Sequence, residues 1–260
     1  YRGKNLIFLK KSNRGFWEGK KRLLEKKYAK FYKKYKKIKP PINQEIKKLI
    51  IDTSYYHTDM CELSLKLTTD RSPYNVYGHM GHRHAYTGIY DYLFKNFRYE
   101  NLNICEIGVL YNEGIKLFRE YFINSKIYGF DFDNKYLEEA KNDKFKDVFY
   151  DFMDVRNKKS IINAFEKLNI SFDIIIDDST HNFQDQVNII NSVYPFLKTN
   201  GYLVIEDIYK NRPEYSEIKY YNEIKDKLHN FSDYYFIESL HNNEWSPFWN
   251  NSKIFVLKKK

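Results

Sequence analysis

After Asn101 the apolar positions fall into short blocks separated by amphipathic stretches. Runs rich in Ile, Val, Phe and Tyr occur at Ile104–Val109, Lys126–Phe132, Asp147–Phe152, Phe172–Asp177 and Tyr202–Ile208. Between them, Glu113–Phe122, Tyr136–Lys141, Ser160–Leu168 and Phe183–Leu197 read as helices. The strand-like runs lack clean alternation, as expected of parallel strands covered on both faces. Tyr215–His229 reads as one more helix, followed by strands at Asp233–Leu240 and Lys253–Leu257. The pattern predicts an α/β chain with a seven-stranded, mostly parallel, Rossmann-like sheet and helices on both faces.

The first hundred residues differ. Gly15–Lys39 is Lys-rich with interleaved Leu, Tyr and Phe, predicting an amphipathic helix ended by Pro40-Pro41. Residues 42–98 read as helices and loops. The expected organisation is a basic helical arm at 1–48, a helical and loop cap segment at 49–98, and the catalytic domain at 99–260.

Charge sharpens this division. The chain carries a formal net charge of +10, yet 18 of its 44 basic residues and only 3 of its 34 acidic ones lie in the first fifty positions. The remaining 210 residues are therefore net acidic, with 26 basic against 31 acidic side chains. Basicity belongs to the arm, which packs as a solvated helix or binds phosphates of nucleic acid or an anionic surface. Two cysteines, Cys61 and Cys105, make no disulfide framework, which suits a cytoplasmic setting. No apolar run is long enough to span a membrane, and no leader pattern follows Tyr1. A start without Met is expected of a processed chain or a piece of a longer one.

Candidate chemistry sits where the strands end, the edge at which open α/β sheets bind ligands. Glu106-Ile107-Gly108-Val109 closes the first strand, with Gly108 permitting a tight turn, and Asn112 precedes the next helix. Asp131 ends the second strand, 25 positions after Glu106, where a carboxylate can accept ribose hydroxyls; Asp133 competes for that role. Asp154 follows the third strand beside Met153. Asp133 and Asp154 have helix capping as their alternative. The fourth strand runs into Asp177-Asp178-Ser179-Thr180-His181 and the fifth into Glu206-Asp207. If those two strands are neighbours, Asp178, Glu206 and Asp207 converge. Three such carboxylates repel one another unless a cation holds them, and oxygen ligands favour Mg2+. His181 could reach the same pocket as a base, or serve as an ordinary hydrogen-bonded histidine. Trp245 and Trp249 stack on a sugar face or, as expected here, fill a hydrophobic lid.

From His84 to Asp207 the chain resembles the metal-dependent sugar O-methyltransferases of macrolide biosynthesis, of the mycinamicin and macrocin type. It is also similar to the cephalosporin-hydroxylase-like group. The matching segments are Glu106–Val109, Tyr128–Asp131, Asp177–His181 and Glu206-Asp207, with Thr69–Arg71 and His84–Thr87 upstream. The resemblance implies S-adenosylmethionine as donor, held by Glu106, Gly108, Asn112, Asp131, Asp154 and Asp177. It implies Mg2+ on Asp178, Glu206 and Asp207, His181 as general base, and His84 and Tyr86 in a segment closing over donor and substrate. The chain departs from the family's pattern at Asn112-Glu113-Gly114, at Ser179 and in an insertion-like stretch, Ser72–Arg83. The expected reaction is methylation of a sugar or glycoside hydroxyl. The alternatives are a nucleic-acid methyltransferase using the basic arm, and a degenerate interaction domain within a larger, or self-associating, glycan-biosynthesis protein.

Overall fold

The computed structural model describes residues 46–75, 81–246 and 249–260. The expected arm helix at Gly15–Lys39, and Val76–Met80 within the insertion-like stretch, lie outside the described residues.

The strands are β1 (Lys47–Asp52), β2 (Asn103–Ile107), β3 (Lys126–Asp131), β4 (Val148–Phe152), β5 (Phe172–Asp177), β6 (Leu197–Ile205), β7 (Phe231–Leu240) and β8 (Lys253–Lys259). The helices are α1 (Asp59–Ser64), α2 (Tyr86–Phe94), α3 (Glu113–Tyr121), α4 (Asn134–Lys141), α5 (Lys158–Leu168), α6 (Phe183–Val193) and α7 (Glu217–Ile224). One eight-stranded sheet has the order β1-β7-β8-β6-β5-β2-β3-β4, with β8 antiparallel to both of its neighbours. The Rossmann-like class expected from the sequence holds. β2 leads to β3 on one side and pairs with β5 on the other, so the strand order reverses between β2 and β5.

Alternation along each strand divides the core into two layers. Cys105, Ile107, Ile175, Leu203 and Ile205 face one side, packed with Phe165, Val187, Ile190 and Tyr220 from α5, α6 and α7. Ile104, Ile174, Ile176 and Val204 face the other, against Met60, Tyr86, Ile89, Tyr90, Ile115 and Phe118 from α1, α2 and α3. The helices start where polar side chains satisfy their free amides: Asp133 accepts from Lys135 N, Asn157 from Lys159 N and Asn182 from Gln184 N. Asp133 is thereby committed as a cap.

The strand count corrects the expectation of seven. Lys47–Asp52 falls partly in the expected arm and otherwise in the expected helical and loop segment, but forms a strand parallel to β7, from Lys47 opposite Tyr235 to Asp52 opposite Leu240. The reason is non-local. β7 offers an unpaired edge, and Lys47 and Lys48 meet Asp233 and Glu238 on it. Nothing within six residues records a partner 188 positions away. β6 also begins earlier than expected, at Leu197, because the preceding helix ends at Val193 and a single 3-10 turn at Tyr194–Phe196 leads into the strand.

Ile175 lies at the centre of β5 with no exposed surface. Ile175→Ala should cost about 2–5 kcal/mol through lost burial and a residual cavity. Urea unfolding would measure it, and a loss below about 1 kcal/mol would contradict this placement in the core.

Candidate active site

The strand ends at the reversal point are pinned side by side by main-chain bonds. Gly108 N donates to Phe130 O at 2.7 Å, Asp178 N to Ile107 O at 2.8 Å and Glu206 N to Asp177 O at 2.9 Å. Beyond them opens a cleft of about 280 Å³ whose walls include Asp70, Arg71, Glu106, Gly108, Asp131, Met153, Asp178 and His181. Gly108 has φ +100°, and a Cβ there would lie 2.1 Å from the Asp178 carbonyl oxygen, so only glycine lets β2 and β5 end this close together.

Asp131 organises the turn after β2. Its Oδ2 accepts from Val109 N and Leu110 N at 2.9 and 3.1 Å, and its Oδ1 from Asp133 N at 2.9 Å. A carboxylate offers about four acceptor positions, so one is left toward the cleft. The apolar end of the cleft includes Met153, Val155, Phe132 and the edge-to-face pair Tyr111–Tyr136, with centroids 5.9 Å apart. The aromatic members of this wall were not singled out in the sequence, because partly exposed aromatics in the loops after β2 and β3 and on the first turn of α4 carry no spacing signal of their own.

Three expected donor contacts lie elsewhere. Asn112 caps the start of α3 with φ +65°, and its amide donates to Asp143 Oδ2 while its oxygen accepts from the Tyr150 hydroxyl, behind the cleft wall. Asp154 is held by Arg156, which donates to it from Nε and Nη2 at 2.8 and 2.9 Å, and only its neighbours Met153 and Val155 reach the cleft. Asp177 sits buried behind the wall and accepts from the Ser179 hydroxyl at 2.6 Å. Burial pushes its carboxyl up to about 7, against the pull of that hydroxyl. Glu113, in the atypical loop, turns to Lys116 Nζ and Thr68 N.

The acids of β5 and β6 divide into two groups. Ligand atoms of Asp178, His181 and Asp207 all lie within 4.8 Å of one another. His181 Nε2 is 3.1 Å from Asp178 Oδ1, and its Nδ1 is 3.5 Å from Asp207 Oδ2. His181 and Asp207 both have left-handed backbones, at φ +55° and +57°, a strain that packing must hold in place. Burial would lower the pKa of His181, but Asp207 and then Asp178 outweigh it and raise it to about 10. Asp178 is held below the ordinary carboxylate range, since Arg71 and His181 overcome its burial.

Glu206 differs from the expectation. It does not join this group, because both its oxygens accept from Arg71 Nε, at 2.8 and 3.0 Å, and the Tyr90 hydroxyl bonds to Oε1. The same guanidinium reaches Glu106 Oε1 through Nη1 and Asp178 Oδ2 through Nη2, both at 2.8 Å. Burial pushes Glu106 up to about 7 even with Arg71 beside it, and its Oε2 is buried with no hydrogen-bond partner among the described residues. Arg71 stood in the sequence only as part of a matching segment, since no local pattern reveals a cation whose partners lie 35, 107 and 135 positions away.

His84 and Tyr86 form a layer behind Asp207. The Tyr86 hydroxyl donates to Asp207 Oδ1 at 2.9 Å, and Asn251 donates to Oδ2 at 2.8 Å. His84 stacks on Tyr86 at 5.0 Å and bonds Ser252 through Nδ1. Both are buried, so they position an acid from behind instead of covering the cleft from outside. Trp249, partly exposed, packs its ring 6.2 Å from His181 and 5.4 Å from His82.

Known proteins resemble this chain in sequence and in fold. The chain is 25% identical over 134 residues to the 8-demethyl-8-(2-methoxy-alpha-L-rhamnosyl)-tetracenomycin-C 3'-O-methyltransferase of Streptomyces olivaceus, over 48% of this chain and 33% of that protein. It is 24% identical over 159 residues to the mycinamicin VI 2''-O-methyltransferase of Micromonospora griseorubida, over 58% of this chain and 36% of that one. The chain thus spans about a third of the length of these curated relatives. A solved structure of MycE methyltransferase from the mycinamycin pathway, in complex with Mg, SAH and mycinamycin VI, has the same fold. It superposes with a TM-score of 0.56 at 18% identity, covering 78% of this chain and 55% of that one. A family model described as a methyltransferase domain matches residues 105–247, more than half of the chain, from within β2 to the loop before β8. By that match, and by the cleft at the reversal point of its sheet, the chain belongs to the methyltransferase domain family.

Proposed function

We propose that the chain is an S-adenosylmethionine-dependent O-methyltransferase that acts on a hydroxyl of a sugar or glycoside with the help of Mg2+. The observation that carries this reading is the shape of the cleft. Its apolar and ribose-suited end lies over β3 and β4, and its other end reaches Asp178 and His181, grouped with Asp207. The relatives, by their names, methylate sugar hydroxyls, and MycE is seen with Mg and SAH.

The residues suit both groups. Glu106 Oε2, buried in the cleft wall and without a hydrogen-bond partner among the described residues, is an acceptor fitted to a cationic part of the donor. Asp131 keeps one acceptor position for a ribose hydroxyl, and Met153 with Phe132 offers an apolar wall to the adenine. S-adenosylmethionine supplies a methyl group on a sulfonium, so the protein's task is to orient and deprotonate the acceptor. Asp178 and Asp207 would hold Mg2+, an ion that takes one or two carboxylates and leaves its other positions to water and substrate oxygens; it lowers the pKa of a hydroxyl bound to it.

His181 is the proton acceptor in this reading. With Nε2–H directed at Asp178 Oδ1, the ring presents Nδ1 to a proton on the Asp207 side. The two carboxylates that hold the imidazole protonated are the two assigned to the ion. Sharing them with a cation removes that support and returns the ring toward the range of a base. Tyr86 and Asn251 keep Asp207 aimed, and burial, with Asp207 beside it, holds the Tyr86 phenol protonated as a donor. Residues 49–98 contribute Asp70, Arg71, His84 and Tyr86, which makes this segment part of the active site, together with the catalytic domain at 99–260. The partner is a small-molecule or glycan acceptor. No described helix is long and apolar enough to cross a membrane.

Calorimetric titration with S-adenosylhomocysteine should give micromolar binding, weakened about tenfold or more by Asp131→Ala, the loss of one hydrogen bond to a charged group. Unchanged affinity in that variant would remove Asp131 from the donor site. His181→Ala should lose about 10²–10⁴-fold in turnover with donor affinity retained. Full activity of that variant at saturating acceptor would exclude the histidine as base. Asp178→Asn should lose the response of methyl transfer to EDTA along with the rate, and a response like that of the unmodified protein would count against the ion site.

A further inference from the structure

The acids of this centre do not share one cation on equal terms. Arg71 uses each nitrogen of its guanidinium, Nε on Glu206, Nη1 on Glu106 and Nη2 on Asp178. Its side chain is 3% exposed, its guanidinium carbon lies 5.3 Å from the centre of the Phe118 ring, and its carbonyl accepts from Tyr86 N and Thr87 N. A Cβ on Gly114 would lie 1.9 Å from Nη1 and 2.1 Å from Glu106 Oε1, so the first turn of α3 is cut back to admit the pair. Glu206 is 1% exposed with Arg71 and Tyr90 on its oxygens, whereas Asp207, the next residue, turns with φ +57° toward His181.

The geometry points to Arg71 as a positioning residue that serves as a built-in cation. It withdraws Glu206 from the ion's coordination shell and leaves a site of two carboxylates, Asp178 through Oδ1 and Asp207 through Oδ2. This rests on the ion assigned above and on nothing about the acceptor. The charge balance follows. Two carboxylates suffice to neutralise a divalent ion, while Glu206 stays with Glu106 on the guanidinium. Because one guanidinium also holds Glu106 in the donor end of the cleft, the donor and ion ends are braced against each other through a planar fork that lysine cannot reproduce.

The test uses Mn2+ as a spin-active probe of the ion site, titrated into the full chain by electron paramagnetic resonance, with folding checked by circular dichroism. Asp178→Asn and Asp207→Asn should weaken Mn2+ binding about thirtyfold or more, each removing an oxygen charge from the ion. Glu206→Gln should leave the dissociation constant within about threefold, since its amide oxygen still accepts from Arg71 Nε. A loss in Glu206→Gln equal to that in Asp207→Asn overturns the proposal. Arg71→Met supplies an independent sign. It removes a positive charge and frees Glu206, so Mn2+ should bind about tenfold tighter, and Arg71→Met/Glu206→Gln should give back most of that gain. Weaker binding in a folded Arg71→Met protein would mean that Arg71 only supports the fold, and would overturn the positioning role. Absence of Mn2+ binding to the unmodified protein would overturn the ion site and this assignment together, while S-adenosylhomocysteine affinity would still report on the methyltransferase reading.

Discussion

The centre of this molecule depends on one buried guanidinium. Arg71 lies on the segment before α2, yet each of its partners ends a different strand: Glu106 on β2, Asp178 after β5 and Glu206 after β6. Each contact is a charge-assisted bond near 2.8 Å made by a guanidinium that is itself buried. Breaking such a pair by removing one side leaves an uncompensated charge, at a cost of about 3–5 kcal/mol. The reversal point of the sheet is therefore closed by electrostatics as much as by apolar packing, and the glycines around it follow. Gly108 exists to let β2 and β5 meet, and Gly114 to let α3 start beside the ion pair.

Around that fixed charge the reactive groups are held from behind. Tyr86 and Asn251 bond the two oxygens of Asp207, His84 stacks on Tyr86, and Ser252 bonds His84. These come from the segment between β1 and β2 and from the loop before β8, so residues 165 positions apart meet behind one carboxylate. His181 and Asp207 keep left-handed backbones that neither residue prefers, and this support is what can hold them there. The donor end has less such bracing. Asp131 is held by three main-chain amides, and the aromatic walls near it, Tyr111, Phe132 and Tyr136, are partly exposed.

Much of this was readable along the chain. The βα periodicity after Asn101 located the parallel strands and their helices within a few residues, because each element carries its own hydrophobic pattern. It also located the acids at the strand ends, since the apolar runs stop where the sheet meets solvent or ligand. Asp131, Asp178 and His181 line one cleft, and Asp207 is grouped with the last two. Asn112 and Asp154 do not, because a polar residue at a strand end can equally bond a neighbouring segment, and here Asn112 bonds Asp143 and Tyr150 while Asp154 bonds Arg156. Local sequence does not distinguish these outcomes; the direction of the side chain does.

Sequence by itself thus determined which residues could be buried, which strands would be parallel and where carboxylates would gather. These follow from the period of side chains along an element, which is a local property. Only the tertiary structure decided which carboxylate meets which cation. The pairing of Glu206 with Arg71, the addition of β1 to the free edge of β7 and the placing of His84 and Tyr86 behind Asp207 join positions 121 to 188 residues apart. Contacts at such separation leave no periodic trace in the chain. They exist because a buried charge, an unpaired strand edge and a strained carboxylate must each find a partner once the core has formed.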